Sequence, residues 1–201
     1  MPAAVFVYLH GFLSSPRSLK AQQLVEFVRT RDLPFDCRVP ALPEEPQLAL
    51  AAAEAAVRQA CADHPVVGVL GSSMGGFYAT VLAERYAVRG AVLINPSVYP
   101  QLRLDEYIRA TGGAMENPYS GRRFTLGQRD IDALAAMLPE RLTNPEKYWL
   151  LVQTGDEVLD YRDAVAFYAS CRQTVEAGGD HAFQRFERHL PAIAEFLQNT
   201  D

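Results

Sequence analysis

Short apolar runs recur along the chain at Val5–Leu9, Cys37–Pro40, Val66–Leu70, Ala91–Ile94, Tyr148–Gln153 and Thr174–Ala177. Between most of them the apolar positions return every three or four residues. These stretches, Arg17–Arg31, Gln47–Ala62, Phe77–Ala87, Tyr161–Ser170 and Gln184–Leu197, read as helices with one buried face. Several of the short runs are apolar almost throughout, which is the mark of parallel strands covered on both faces. The alternation predicts an α/β fold: a mostly parallel sheet of about six strands, joined by right-handed crossovers and flanked by helices. An α+β domain with antiparallel pairing is the alternative reading of the same pattern.

One connection breaks the rhythm. About 50 residues separate "GAVLINPS" from "KYWLLVQTGDE", far more than an ordinary crossover needs. They contain "ENPYSGRRFTLG", rich in turn formers and aromatics, and the helix-like "QRDIDALAAMLP". Residues 97–147 are therefore expected to form a helical and irregular excursion that caps or walls a pocket, with an extra structural helix as the simpler alternative. No repeat or linker interrupts the chain, and 201 residues suit one domain.

Composition narrows the class of function. With 49% hydrophobic and 21% charged residues the chain is ordinary for a globular protein, and its net charge of -5 argues against nucleic acid or an anionic membrane as partner. No run reaches the roughly 18 apolar residues of a membrane span. The start, "MPAAVFVYLHGF", lacks a basic flank and signal core and runs directly into a strand. Cys37, Cys61 and Cys171 are odd in number, far apart and without CxxC spacing, so they read as reduced thiols. A cytoplasmic protein without a metal site is expected.

The chemistry centres on Gly71-Ser72-Ser73-Met74-Gly75, a G-x-S-x-G between a predicted strand and a predicted helix. A nucleophile at so sharp a turn sits in a strained backbone conformation, and glycines two positions either side remove side chains that would collide. Gly76 and Ala79 then allow the helix to approach the sheet. A dinucleotide-binding turn is the competing structural reading, but "GSSMGG" lacks the order G-x-G-x-x-G. Ser72 falls one place short of the motif and reads as a small turn residue.

A serine hydroxyl needs a base, and the base needs an orienting acid, in the chain order Ser, Asp or Glu, His. "GDEVLD" follows the strand "YWLLVQT" and offers Asp156, Glu157 and Asp160. Asp156 comes first after a glycine and is the candidate acid, while Asp160 suits the cap of the next helix. All three can also be read as solvated loop residues. "TVEAGGDHAF" puts His181 in a glycine-rich loop after the last strand, as the candidate base. His64 precedes a strand, His189 falls mid-helix and His10 comes too early. The Met74 amide and the Phe12 amide are the candidate oxyanion donors, with Gly11 letting the loop turn and His10 supporting it. An ordinary strand-end turn is the plainer reading of His10-Gly11.

The stretches "YLHGFLSSPRSLKA", "GSSMGGFYAT", "NPS", "ENPY" and "WLLVQTGDEVLDYRDAVAFYASCRQTVEAGGDHAF" together resemble the YqiA-like esterases, small members of the α/β-hydrolase superfamily. The resemblance runs from Val7 to about residue 197 and is weakest over 101–146. It implies a small α/β-hydrolase fold with Ser73 as nucleophile, Asp156 as acid and His181 as base, acting on carboxylic esters and including acyl thioesters. Neither metal nor cofactor is implied, and the partner is a small-molecule ester or thioester. An amidase with the same triad and a non-catalytic scaffold on the same fold are the alternatives. Arg17, near the oxyanion loop, is a candidate for binding a carboxylate or phosphate of the substrate, against the plainer reading of a solvated residue in a helix's first turns.

Overall fold

The computed structural model describes residues 4–199 except 32 and 34. Residues 1–3, the beginning of the stretch read for a leader segment, lie outside them. In chain order the elements are β1 (Ala4–Leu9), α1 (Leu19–Thr30), β2 (Phe35–Arg38), α2 (Pro46–Asp63), β3 (Val66–Ser72), α3 (Met74–Arg85), β4 (Gly90–Ile94) and α4 (Pro100–Thr111). There follow β5 (Ala114–Glu116), β6 (Arg123–Thr125), α5 (Gln128–Met137), β7 (Tyr148–Gln153), α6 (Tyr161–Phe167), β8 (Arg172–Glu176) and α7 (Leu190–Asn199).

Six strands form one parallel sheet in the order β2-β1-β3-β4-β7-β8. Side chains alternate between two cores, as the two-residue period of a strand demands. Val5, Val7 and Leu9 join the apolar cluster that includes α2 and α3, while Phe6 and Tyr8 join the one that includes α1 and α7. Both faces are thus dry, and this explains runs that are apolar throughout. Helix α3 is buried over every residue from Gly75 to Ala83, so it shows no polar stripe.

The connections from β1 and from β3 leave towards opposite sides of the sheet. These two strands are neighbours, and Leu9 pairs with Gly71 at their carboxyl ends. A crevice opens at such a reversal of strand order, because the two following loops diverge.

The elements predicted from periodicity are all present, several with ends shifted by two or three residues, and three differences bear on the site and its cap. The helix expected from Phe77 begins at Met74, directly after the turn. The helix expected over Gln184–Leu197 is broken: Phe183 and Arg185 both take φ of 58°, a short 3-10 turn covers Phe186–His189, and α7 starts at Leu190. His189 therefore precedes the helix instead of lying within it, and it pairs with Glu176 at 3.0 Å. Within 97–147, α5 matches the helix-like stretch, but α4 and the antiparallel β5–β6 hairpin are additional. Helix α4 buries only Pro100 and Leu104, and the strands of the hairpin only Phe124, so neither leaves a readable apolar period. Helix α4 packs on α5, and α5 on α2.

Among the described residues no helix is long and apolar enough to cross a membrane, and no group of three or more His, Cys, Asp or Glu is placed to hold a metal ion. The three cysteines are free thiols. Burial pushes the Cys37 thiol up to about 12 and the Cys171 thiol up to about 11, which keeps both protonated and poorly nucleophilic near neutral pH.

Candidate active site

Ser73 stands between the end of β3 and the first residue of α3, with φ 55° and ψ -123°. Backbone bonds hold it there. Its N–H donates to the Ile94 carbonyl at 3.0 Å, and its carbonyl accepts from Gly76 at 2.9 Å and Ser97 at 3.1 Å. The flanking glycines are required by contact. A Cβ on Gly75 would lie 2.0 Å from the Leu9 carbonyl oxygen, and one on Gly71 would lie 2.2 Å from the Gly75 carbonyl oxygen. Gly76 makes room for the Pro96 ring, 2.6 Å from where its Cβ would be, and for the Gly71 carbonyl oxygen of β3 at 3.3 Å, so it lets α3 approach the loop after β4 as well as the sheet. Ser72 is also placed differently: it is the buried last residue of β3, and its hydroxyl pairs with the Tyr8 phenol.

The structure brings Ser73, His181 and Asp156 into one chain of hydrogen bonds. Ser73 Oγ lies 3.1 Å from His181 Nε2, and His181 Nδ1 lies 2.8 Å from Asp156 Oδ2 and 3.0 Å from Oδ1. The Asp156 side chain is only 1% exposed against 22% for His181, so the acid is sealed behind the ring while the ring reaches the cleft. Burial alone would raise the Asp156 pKa. The bonds from His181 and from the Leu159 and Val158 amides outweigh it and hold the carboxyl below its ordinary value. The other two acids of "GDEVLD" have structural work. Glu157 accepts the His181 backbone N–H at 3.0 Å, and Asp160 caps α6 through the Arg162 N–H.

Two side chains that the motif search did not single out hold the histidine loop. Asn95, at φ 40°, donates to the carbonyls of Asp180 and His181 at 2.9 and 3.3 Å and accepts from the Gln153 amide. Gln153 accepts from the Asp180 and Gln184 amides through Oε1 and donates from Nε2 to the Gln184 carbonyl. The signals in the sequence were a polar residue just past β4, inside "NPS", and another at the end of β7.

Phe12 and Met74 line the same cleft as Ser73, and a Cβ on Gly11 would come within 3.2 Å of the Ser73 Cβ. The "HGF" backbone thus lies against the serine. His10 is buried, with Nε2 accepting the Leu42 N–H at 3.1 Å and Nδ1 2.9 Å from the Gly11 carbonyl. Only the neutral ring with its proton on Nδ1 satisfies both contacts. Burial lowers the His10 pKa below its ordinary 6.5, outweighing the pull of Gly11 and Glu44.

This sets a pH dependence. Below about pH 6.5 the unfolded chain takes up a proton that folded His10 resists, so stability is fully present above that pH and declines as pH falls through the folded value. A His10→Gln variant is expected to lose part of this decline, visible as a flatter plot of melting temperature against pH below 6.5. An unchanged plot would show that His10 does not contribute.

The cleft holds about 300 Å³ and is walled by Phe12, Leu13, Met74, Leu104, Leu126 and Leu134, with Arg103 and Glu44 as its charged lining. The hairpin touches the "HGF" loop, since the rings of Phe12 and Phe124 meet edge to face at 6.2 Å. Glu44 accepts from Asn117 at 2.7 Å and is also bound by Arg122, which tethers the hairpin to the loop before α2. Arg17 is not brought to the cleft. It is exposed, in the turn leading into α1, and the cation on the cleft wall is Arg103, which donates to the Val158 carbonyl at 2.7 Å.

A strained serine at a strand-to-helix turn, beside a crevice at the carboxyl end of a parallel sheet, defines the α/β-hydrolase fold. Solved structures agree on the fold. A candidate hydrolase from Agrobacterium vitis S4 superposes with a TM-score of 0.74 at 16% identity, over 97% of this chain and 88% of that one. Est1E from Butyrivibrio proteoclasticus gives 0.67 at 14%, over 98% and 88%. The esterase domain of a Rhodothermus marinus protein gives 0.68 at 18%, over 98% and 85%. The chain belongs to the uncharacterised protein family UPF0227, the YqiA family, whose model matches residues 5–198.

Proposed function

We propose that this protein is a serine hydrolase that cleaves carboxylic esters, acyl thioesters included, through an acyl-enzyme. The observation that carries the reading is the unbroken chain Ser73 Oγ–His181 Nε2, His181 Nδ1–Asp156, mounted on the strained turn at the head of an apolar cleft. The esterases among the structures of the same fold support it.

Ser73 Oγ attacks the ester carbonyl carbon while His181 Nε2 takes the hydroxyl proton. Asp156 keeps the other ring proton on Nδ1 and stabilises the imidazolium that forms. The carbonyl oxygen becomes an oxyanion held by the Met74 and Phe12 amides, the first favoured by its place at the start of α3. When the tetrahedral intermediate collapses, His181 returns the proton to the departing alkoxide or thiolate. Water, deprotonated by the same ring, then attacks the acyl-enzyme and releases the acid and free Ser73. Residues of 97–147, chiefly Leu104, Leu126 and Leu134, wall the space for the acyl group.

The test is covalent. A fluorophosphonate is expected to label the folded protein once, with the adduct mapped by peptide mass to Ser73, and the protein to hydrolyse matched ester and thioester substrates faster than the amide. No labelling of folded protein overturns the reading in favour of a non-catalytic scaffold. An amide preference would make the protein an amidase.

A further inference from the structure

Lys20 lies on α1, 162 positions before the residue it touches. Its Nζ donates to the carbonyl of Ala182, next to His181, at 2.6 Å. The side chain is half-buried, and the nearest charges are the carboxylates of Asp180 and Asp156. Asp180 is itself incompletely satisfied: Oδ2 accepts from Gln184 at 2.9 Å, but Oδ1 is buried without a hydrogen-bond partner. The surrounding charged groups are few. Asp156 and Glu157 come from the loop after β7, Asp180 and His181 from the loop after β8, and Glu187 from the 3-10 turn, where it accepts from Gln23 of α1. Two loops and the 3-10 turn therefore set several carboxylates around one imidazole, and Lys20 reaches them from α1.

We propose that Lys20 is a positioning residue for His181, anchoring the backbone of its loop and supplying the positive charge that balances Asp156 and Asp180 beside the ring. This rests on the hydrolase reading above. The anchor joins the loop that bears the base to α1, which directly follows the "HGF" loop, so both halves of the site are referred to one helix. The charge has a second consequence. With it removed, the uncompensated carboxylates make the imidazolium easier to form, and the ring is then protonated, and inactive as a base, at a higher pH. Burial holds the Lys20 ammonium down to about 8 against the pull of Asp180 and Asp156, so the cation is present through neutral pH and fades above it.

The experiment compares kcat/KM against pH for the parent, Lys20→Met and Lys20→Arg on a neutral activated ester, and repeats the profile for the rate of fluorophosphonate labelling. In Lys20→Met the acid limb is expected to move up by about half a pH unit or more, so that activity on that limb falls about threefold. Lys20→Arg, which keeps charge and donor, restores the parental limb. A helix residue with a purely structural role would lower the melting temperature or the plateau and leave the limb in place. An unshifted limb in folded Lys20→Met, with an active parent, overturns this inference alone. If the Met variant does not fold, Lys20→Gln carries the same comparison. A parent that neither labels nor hydrolyses overturns the hydrolase reading and this inference with it.

Discussion

Replacing Ser73 by alanine is expected to lower kcat/KM for an activated ester by about four to six orders of magnitude and to abolish fluorophosphonate labelling. The loss is confined to chemistry because the substitution keeps the Cβ and every backbone contact of the turn. The bonds to Ile94, Gly76 and Ser97 are all main-chain, so only the Oγ–His181 bond disappears. Stability is expected to stay within about 1 kcal/mol of the parent, which urea unfolding followed by circular dichroism measures. Residual hydrolysis above the rate in water would report the proposed oxyanion donors, the amides of Phe12 and Met74. A loss of less than tenfold in the folded variant places the nucleophile elsewhere.

Gly75→Ala has the opposite signature: the fold suffers first. The added Cβ would lie 2.0 Å from the Leu9 carbonyl oxygen and 2.7 Å from the His10 carbonyl oxygen. Both are backbone atoms in a buried, close-packed layer, so no side chain can swing aside, and α3 must retreat from the end of β1. The expected cost is about 3 kcal/mol or more, a large share of the margin of about 5–15 kcal/mol that a domain of this kind commands. Because His10 leads into the "HGF" loop, the surviving folded fraction should also be less active per molecule. Gly127→Ala, where a Cβ meets nothing within 4 Å, is the matched control and is expected to cost less than about 1 kcal/mol. Equal midpoints in urea for the two variants would refute the steric account.

The periodicity of the chain carried the layered architecture because burial imposes it locally. A strand covered on both faces must be apolar throughout, and a helix on a sheet must repeat its apolar face, so β1, β3, β4 and β7 were legible one at a time. Helix α4 and the β5–β6 hairpin were not, since each buries too few side chains to show a period. Long-range contacts hold them instead. Arg122, bridging the hairpin to Glu44 and Glu45, joins residues 78 and 77 positions apart, and no window along the sequence contains such a pair.

The candidate site divides in the same way. The sequence by itself determined which residues are proposed to carry the chemistry, namely Ser73 in its glycine-flanked turn, Asp156 after one strand and His181 after the next, because a parallel sheet delivers the loops at the carboxyl ends of its strands to one edge. It could not choose among Asp156, Glu157 and Asp160 by contact, nor reveal Asn95, Gln153 and Lys20 as holders of the histidine loop, and it drew Arg17 towards a cleft that Arg103 in fact lines. Those decisions belong to the tertiary structure, for a physical reason. Hydrogen bonds act over about 3 Å, and only the packed sheet brings Asp156 Oδ2 to 2.8 Å from the ring it orients and Lys20 Nζ to 2.6 Å from the loop it anchors.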